Sequence, residues 1–231
     1  WFLHYFKNCN QKSMMHTAKN MHQILSLSND AYEEIFQEID TNGLVEKKGI
    51  IYIWTNKNLK SRKLEIKVRN ELGIEQKLLT QKEVLDLEPN LHPVFDAGVI
   101  YESAMHARDP HGILKKIFKL FLERGGKFIQ SNVKAIEQIN THETKIKTEI
   151  DDYYFEKIVV ASGAFSKSLT DQLGENIPLD TERGYHVHFK NKEHLIQRPV
   201  IFLDRGFGLT PMNQGLRAVG TVELGGLKNP P

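Results

Sequence analysis

The sequence predicts a mixed α/β fold of the α+β kind, on three observations. Apolar residues recur every three or four positions in several segments, as they do on one face of an amphipathic helix. Short runs rich in β-branched and aromatic residues alternate with these segments and predict strands. From residue 178 onward, short strand patterns are separated by glycine and proline, which is typical of antiparallel sheet.

The composition excludes several classes of protein. Lysine plus arginine (31) nearly balances aspartate plus glutamate (29), and the charges are scattered, so we expect no nucleic-acid partner. Cys9 is the single cysteine and cannot form an intrachain disulfide, which is typical of a reducing compartment. No apolar run approaches the roughly 20 residues that a membrane span needs. We therefore expect a cytoplasmic protein.

The first third of the chain predicts a helix, a strand and a second helix. A stripe of apolar residues predicts one long helix over residues 13–39. A β-branched and aromatic run predicts a strand over residues 49–54. A mixed helical stretch over residues 58–72 is expected to end at Gly73.

Two further helices carry explicit start signals. Thr80, followed three residues later by Glu83, is typical of a capping box at the start of a short helix. Asp109 suits a helix N-cap, Pro110 suits the first helical position because its φ is already restricted, and Gly125 suits the residue after the helix end. These signals depend on local chemistry alone, so the sequence predicts where both helices begin.

The middle of the chain predicts a small antiparallel ribbon followed by a buried strand. Residues 127–139 predict two strands with a kink between them, and residues 145–150 predict a strand that pairs back. The apolar run over residues 153–161 predicts a buried strand.

A turn of small residues over residues 161–164 follows that strand. Small side chains at the carboxyl end of a strand let a ligand approach the backbone, and Gly163 can adopt a positive φ. Ser166 is placed to cap the helix that follows. The same small residues would also let a strand and a helix pack tightly without any ligand. Taken alone, the turn favours this packing interpretation over a ligand site.

Five segments, in their order and spacing, resemble the FAD-dependent amino-acid oxidoreductases of the D-amino-acid oxidase superfamily. They are GVIYESAMHARDPHGI, SNVKAIEQI, IVVASGAFS, IPLDTERGYHV and LRAVGTVELGG. The resemblance runs nearly end to end and is greatest to the D-amino-acid dehydrogenase (small subunit) branch, with glycine and sarcosine oxidases more distant. It implies an enzyme that oxidises an amino acid, in particular a D-amino acid, by hydride transfer from Cα to FAD.

The resemblance implies a partial Rossmann-type FAD-binding domain and a substrate domain built on an antiparallel sheet. Residues 1–100 would be mainly substrate-domain helices and strands, residues 101–175 part of the FAD-binding domain, and residues 176–231 the substrate-domain sheet. The family's glycine-rich phosphate anchor is expected before the first residue, because the single Gly-x-Gly, at Gly206, is not followed by a helical pattern. The chain is therefore expected to be an interior fragment of a flavoenzyme.

The resemblance also implies positions that contact FAD. By this resemblance Val133 would lie on the strand that passes the adenine end of the cofactor. Ala161, Ser162 and Gly163 would line the dinucleotide channel. Gly184 is a further candidate for a close approach of FAD to the backbone.

Substrate binding is expected on the strand pattern TERGYHVHF. An arginine fork can bind both oxygens of a carboxylate and a tyrosine can add a donor, so Arg183, Tyr185 and His186 are the candidates. Alternation places Arg183 and Tyr185 on one face and His186 on the other. In some relatives an arginine follows the proline that matches Pro211, but Met212 stands there, which leaves the position of a carboxylate clamp open.

The expected partners are a small amino-acid substrate and, for the whole protein, a peripheral contact with the inner face of the membrane or with a quinone. The sequence does not choose between oxygen and a quinone as electron acceptor.

Two other classes of function remain as alternatives. His186 and His188 share a face, and His106 and His111 are close in sequence, which allows a metal-binding module. No carboxylate or thiol completes a recognisable ligand set, so we expect no metal. The helix over residues 13–39 allows a non-catalytic interaction module, although such a stripe more often packs within its own domain.

Overall fold

The computed structural model describes residues 2–56 and 59–227. The chain divides into two compact units. Unit 1 holds the residues up to 124 together with residues 185–221, and unit 2 holds residues 125–184 and those from 222 onward. The predicted mixed α/β fold is confirmed. Within the described ranges, no helix combines the length and apolar character needed to cross a membrane.

The chain forms seven α-helices and twelve strands over the described residues. The helices are α1 (Phe2–Asn8), α2 (Gln11–Leu25), α3 (Ser28–Glu38), α4 (Leu59–Glu71), α5 (Gln81–Leu87), α6 (Pro110–Glu123) and α7 (Ser166–Thr170). The strands are β1 (Val45–Glu46), β2 (Ile50–Trp54), β3 (Lys77–Thr80), β4 (Ala97–Tyr101), β5 (His106–Ala107), β6 (Val133–Asn140), β7 (Glu143–Thr148), β8 (Asp152–Phe155), β9 (Arg183–Phe189), β10 (Val200–Phe202), β11 (Phe207–Met212) and β12 (Gly215–Glu223).

The strands form three sheets. The largest has seven strands in the order β3-β4-β2-β10-β11-β12-β9, a second has the order β6-β7-β8, and β1 pairs with β5. In the large sheet β10 pairs in parallel with β2, whereas β10, β11 and β12 pair antiparallel in succession. The antiparallel sheet predicted for the last part of the chain is therefore confirmed for these three strands.

The core of unit 1 lies on one face of the large sheet. Ile51 and Ile53 on β2 and Val200 and Phe202 on β10 are buried there together with Val84 of α5. Alternation along each strand sends the intervening side chains to the opposite face. Burial of these apolar side chains, at about 25 cal/mol per Å² of apolar surface, is the main stabilising term for this unit.

The two helix start signals are confirmed. Thr80 Oγ1 accepts from the backbone N–H of Glu83, and the Glu83 carboxylate accepts from the backbone N–H of Thr80 at 2.8 Å, which completes the capping box. Asp109 Oδ1 accepts from the N–H of Gly112 at 2.9 Å, and Pro110 begins α6. Gly125 has φ +85°, as expected for the residue that follows a helix end.

The single helix predicted over residues 13–39 is wrong. The chain forms α2 and α3 instead, and the break lies at Ser26 and Leu27. The N–H of Ser26 bonds to the carbonyl oxygens of His22 and Ile24, which closes α2. Serine competes with the helical backbone for hydrogen bonds, so a serine-containing segment is a weak point in an otherwise continuous stripe. The predicted start of the next helix, residue 58, lies outside the described residues.

The buried strand predicted over residues 153–161 is also wrong beyond Phe155, where β8 ends. Residues 157–162 have no regular structure, and Val159 is 90 % exposed. A strand needs a neighbour to satisfy its N–H and C=O groups, and no described strand pairs with these residues. Of the two strands predicted over residues 127–139, only the second forms, since β6 begins at Val133.

Candidate functional site

The small-residue turn over residues 161–164 is exposed in unit 2. Gly163 has φ +55°, which L side chains rarely adopt, and a Cβ at this position would meet no heavy atom within 4 Å. Ser162 Oγ lies 3.2 Å from Ser166 Oγ. The residue before α7 is Phe165, without a side-chain cap, so the predicted cap at Ser166 is wrong. The turn thus presents its backbone to the surface rather than packing strand against helix.

A cleft of about 530 Å³ adjoins this turn within unit 2. Ala164 and Phe165 line it from one segment, and Thr181 and Gly225 line it from two others. Thr181 Oγ1 is enclosed and has no hydrogen-bond partner among the described residues. Proteins contact the edge of a dinucleotide through backbone groups and short polar side chains. The turn offers such a backbone, and the cleft beside it offers the unsatisfied Thr181 hydroxyl.

The other predicted cofactor positions also lie in unit 2. Val133 is the first residue of β6, is 40 % exposed, and precedes an irregularity in the β6–β7 register. Gly184 on β9 is exposed, and a Cβ there would meet nothing within 4 Å. Each position is therefore accessible to a ligand, and the assignment of FAD contacts to them stays a prediction.

The predicted substrate residues lie on β9. Arg183 donates from Nη1 to Glu223 Oε2 at 3.0 Å, so its charge already has an acidic partner. Tyr185 is 39 % exposed. His186 is exposed, and its ring centroid lies 5.1 Å from that of His188, as expected for residues on one face of a strand.

The two histidines of the second group, His106 and His111, differ in their surroundings. His106 is buried, burial lowers its pKa, and neither ring nitrogen has a hydrogen-bond partner in the described part of the chain. It borders an apolar cavity of about 390 Å³ between α3 and α6, whereas His111 is exposed. No three or more His, Cys, Asp or Glu side chains come together as ligands within the described residues. The neutral imidazole of His106 is thus part of an apolar environment.

Sequence reasoning did not identify Arg217. This residue lies on β12, directly opposite Thr210 of β11, and its side chain is half-exposed. The signal was present in the pattern LRAVGTVEL, where a single cation interrupts an apolar strand. Leu216 is buried on the core face, so alternation sends Arg217 to the opposite face.

The fold is mixed α/β, and an open cleft adjoins the small-residue turn within unit 2. Comparison with protein families makes the assignment specific: a model of the family described as DAO, FAD dependent oxidoreductase, matches residues 7–231. The chain belongs to this family. The predicted resemblance to FAD-dependent amino-acid oxidoreductases is confirmed at this level.

Curated relatives and solved structures agree with the family. The chain is 29 % identical over 215 residues to a D-amino-acid oxidase from Bradyrhizobium diazoefficiens, covering 93 % of this chain and 51 % of the relative. It is 22 % identical over 232 residues to a D-amino acid dehydrogenase from Neisseria meningitidis, covering 98 % and 56 %. A glycine oxidase structure from Geobacillus kaustophilus superimposes with a TM-score of 0.72 at 19 % identity, over 86 % of this chain and 54 % of that one, which shows a shared fold. The chain thus spans about half the length of the relatives it matches.

Proposed function

We propose that this protein acts in the FAD-dependent oxidation of α-amino acids, with D-amino acids as the main substrates. The observation that carries the proposal is the family match over residues 7–231, with a D-amino-acid oxidase and a D-amino acid dehydrogenase among the relatives. The exposed glycine turn and its cleft support the cofactor, because they leave backbone free for a flat ligand.

In this proposal residues 101–175 contribute to the FAD-binding domain, and residues 1–100 and 176–231 form the substrate domain. Ala161, Ser162 and Gly163 lie along the cofactor, with Val133 and Gly184 as further contacts. The open space around Gly163 and Gly184 supports this arrangement, since neither position has a neighbour that would keep a ligand from the backbone.

The reaction breaks the Cα–H bond of an amino acid whose amine is neutral. FAD, when bound, would accept the hydride, and the nitrogen lone pair would form the C=N bond, which gives the protonated (iminium) form of the imino acid. The chain's own residues have to hold the substrate with Cα towards the flavin. We assign the Tyr185 hydroxyl to substrate binding as a donor, and the ion-paired Arg183 and His186 to the border of the site.

Anaerobic flavin bleaching tests this proposal on the intact protein loaded with FAD. D-alanine should reduce the flavin, L-alanine should not, and glycine should react more slowly than D-alanine. Faster reduction by glycine or sarcosine would favour an amine oxidase of the same superfamily. A flavin that no amino acid reduces would contradict the proposal.

We also propose that the electrons pass to a quinone at the membrane surface rather than to oxygen, which the relatives named D-amino acid dehydrogenase support over the one named D-amino-acid oxidase. Reoxidation of the reduced protein by a soluble quinone and by air-saturated buffer would be compared. Equal or faster reoxidation by oxygen would contradict this part of the proposal without affecting the first.

A further inference from the structure

A cavity of about 390 Å³ in unit 1 is lined by none of the residues assigned to FAD or to the amino acid. It lies between α3 and α6, and its volume falls in the range of about 300–1,000 Å³ that small-molecule sites occupy. Phe36, Met105 and Ile113 form half-buried walls, whereas Tyr32 and Leu114 are exposed. The cavity is therefore open to the surface at the end where these two residues lie.

His106 is the most deeply buried residue of the cavity wall. It is 7 % exposed, and both ring nitrogens are shielded from solvent without a hydrogen-bond partner among the described residues. Glu46 is directly opposite on β1, but its carboxylate is bonded to Arg108 Nη1 at 2.7 Å and to Lys48 Nζ at 2.6 Å. The imidazole can turn about χ2, whose energy profile is broad and roughly two-fold, so either edge of the ring can face a ligand. A ligand that hydrogen-bonds His106 would therefore remove an unfavourable buried polar group.

The chemistry of the lining selects a neutral ligand. None of the described residues that line the cavity carries a charge, and burial lowers the pKa of His106, so its imidazole is neutral. A carboxylate or a phosphate would lose its hydration here without gaining a counter-charge. A neutral imidazole has one N–H donor and one acceptor nitrogen, so it can donate to a carbonyl group and accept from a hydroxyl group. These two roles match the two forms of one redox compound, a quinone with carbonyl groups and a quinol with hydroxyl groups.

The apolar part of the cavity fits the rest of such a molecule. The ring centroids of Tyr32 and Phe36 lie 5.5 Å apart with 35° between the ring planes, and a flat ring can pack against these aromatic side chains. Beyond the mouth, an exposed apolar row continues along α6 from Leu114 to Phe118 and Phe121. Spacings of four and seven residues place the three side chains on one side of the helix. The apolar tail of a membrane quinone can lie along this row.

We propose that this cavity binds the ring of a quinone, with His106 as its hydrogen-bonding partner, and so holds the electron acceptor of the proposed reaction. The proposal rests on the quinone-dependent part of the proposed function. Reduction of the quinone to the quinol takes up two electrons and two protons, which the oxidation of one amino acid to its imino acid releases. His106 donates to a carbonyl oxygen of the quinone and, after reduction, accepts from a hydroxyl group of the quinol.

Duroquinone is the probe, because its methyl groups leave no ring position for the exposed Cys9 thiol to attack. Durene has the same methylated ring without the carbonyl groups. Equilibrium dialysis with the intact, FAD-loaded protein would give both dissociation constants for the parent, His106→Phe and His106→Gln. His106→Phe should weaken duroquinone binding roughly fivefold, since one hydrogen bond is lost, and leave durene binding unchanged. His106→Gln should recover part of the loss, because its amide keeps a donor and an acceptor.

Two further variants locate the binding. Ile113→Trp fills the cavity, so it should abolish binding of both compounds. It should also slow reoxidation of the reduced protein by duroquinone, while D-alanine bleaches the flavin as fast as in the parent. His111→Phe replaces an exposed histidine that does not line the cavity, and it should match the parent in every measurement.

Three results would overturn the proposal. Absence of duroquinone binding by the parent is the first, and it needs no variant that has to fold. An equal effect of His106→Phe on duroquinone and durene is the second, because His106 would then have only a packing role. Unchanged duroquinone affinity in Ile113→Trp is the third, because the quinone would then bind elsewhere. Failure of the proposed function is distinguishable, since dialysis measures binding without turnover and the parent flavin would then be reduced by no amino acid.

Discussion

The carboxylate of Glu88 is bound on three sides by the segment that holds Arg198. Glu88 is 1 % exposed, and it accepts hydrogen bonds from the N–H of Gln197 at 2.9 Å, the N–H of Arg198 at 3.1 Å and the Arg198 Nε at 3.0 Å. Arg198 also donates to the carbonyl oxygen of Lys48 at 3.1 Å. One buried ion pair therefore joins the end of α5, the start of β2 and the start of β10.

Replacing Arg198 by Met should destabilise the protein strongly. The substitution leaves the Glu88 carboxylate buried without a counter-charge, which costs roughly 3–5 kcal/mol in the free energy of unfolding. Urea unfolding at pH 7 measures the change. The exposed pair Lys82–Asp86 supplies the control, and Lys82→Met should change stability by less than about 1 kcal/mol. Equal effects of the two substitutions would mean that the buried pair Glu88–Arg198 contributes no more to stability than the exposed pair Lys82–Asp86.

The buried carboxyl group of Glu88 should make the free energy of unfolding depend on pH. Burial raises the pKa of Glu88, and the donors from Gln197 and Arg198 oppose that rise without cancelling it. The folded state therefore binds the proton more tightly than the unfolded state, whose carboxyl pKa is about 4.3. The contribution of Glu88 to the free energy of unfolding is therefore fully present below the unfolded-state pKa, and it is lost as pH rises through the raised pKa of the folded state. The free energy of unfolding of the parent, minus that of Glu88→Gln, should fall over this window, and a rise would contradict the assignment.

Gly215 should not tolerate a side chain. Its φ is +136°, and a Cβ there would overlap the carbonyl oxygen of Phe189 on the neighbouring strand. Gly215→Ala should cost roughly 2 kcal/mol or more, from strain and overpacking together. Gly184→Ala is the matched control, because that position has open space and an ordinary φ, and its change should stay within about 0.5 kcal/mol.

Gly163→Val tests the cofactor turn. In the intact protein the substitution should lower bound FAD, measured as the ratio of flavin absorbance to protein absorbance, because the side chain fills the open space at the turn. Gly174 has φ +79° and equally open surroundings, so Gly174→Val introduces similar backbone strain away from the turn. Equal flavin content in the two variants would show that Gly163 does not contact FAD.

Tyr185→Phe tests the substrate strand. The change removes a hydroxyl and keeps the ring, so KM for D-alanine should rise roughly fivefold for a lost hydrogen bond of about 1 kcal/mol, with FAD content unchanged. Tyr32→Phe on α3 is a control of similar exposure. If both variants keep the parent's KM, Tyr185 has only a packing role.

Elements with local signals were predictable from the sequence. The capping box at Thr80 and the N-cap at Asp109 act through hydrogen bonds to residues three positions away, so their chemistry is visible in a short window. The strand β2 was predictable because a β-branched and aromatic run favours extended backbone wherever it is buried. The family resemblance likewise depended on segments in a fixed order along the chain.

Features that depend on distant partners were not predictable. An apolar run such as residues 157–161 forms a strand only beside another strand, and its composition does not say whether one is present. The break between α2 and α3 falls at Ser26 and Leu27, inside a sequence whose apolar spacing predicted one continuous helix.

The sequence by itself determined the starts of α5 and α6, the antiparallel end of the large sheet and the family. Tertiary structure alone decided which charges are paired. Glu88, at the end of α5, and Arg198, which precedes β10, are 110 residues apart in the chain and meet because Val84 of α5 is buried in the same core as Val200 and Phe202 of β10. The physical reason is that caps and turns are satisfied within a few residues, whereas burial and pairing of a charge depend on every segment that folds around it.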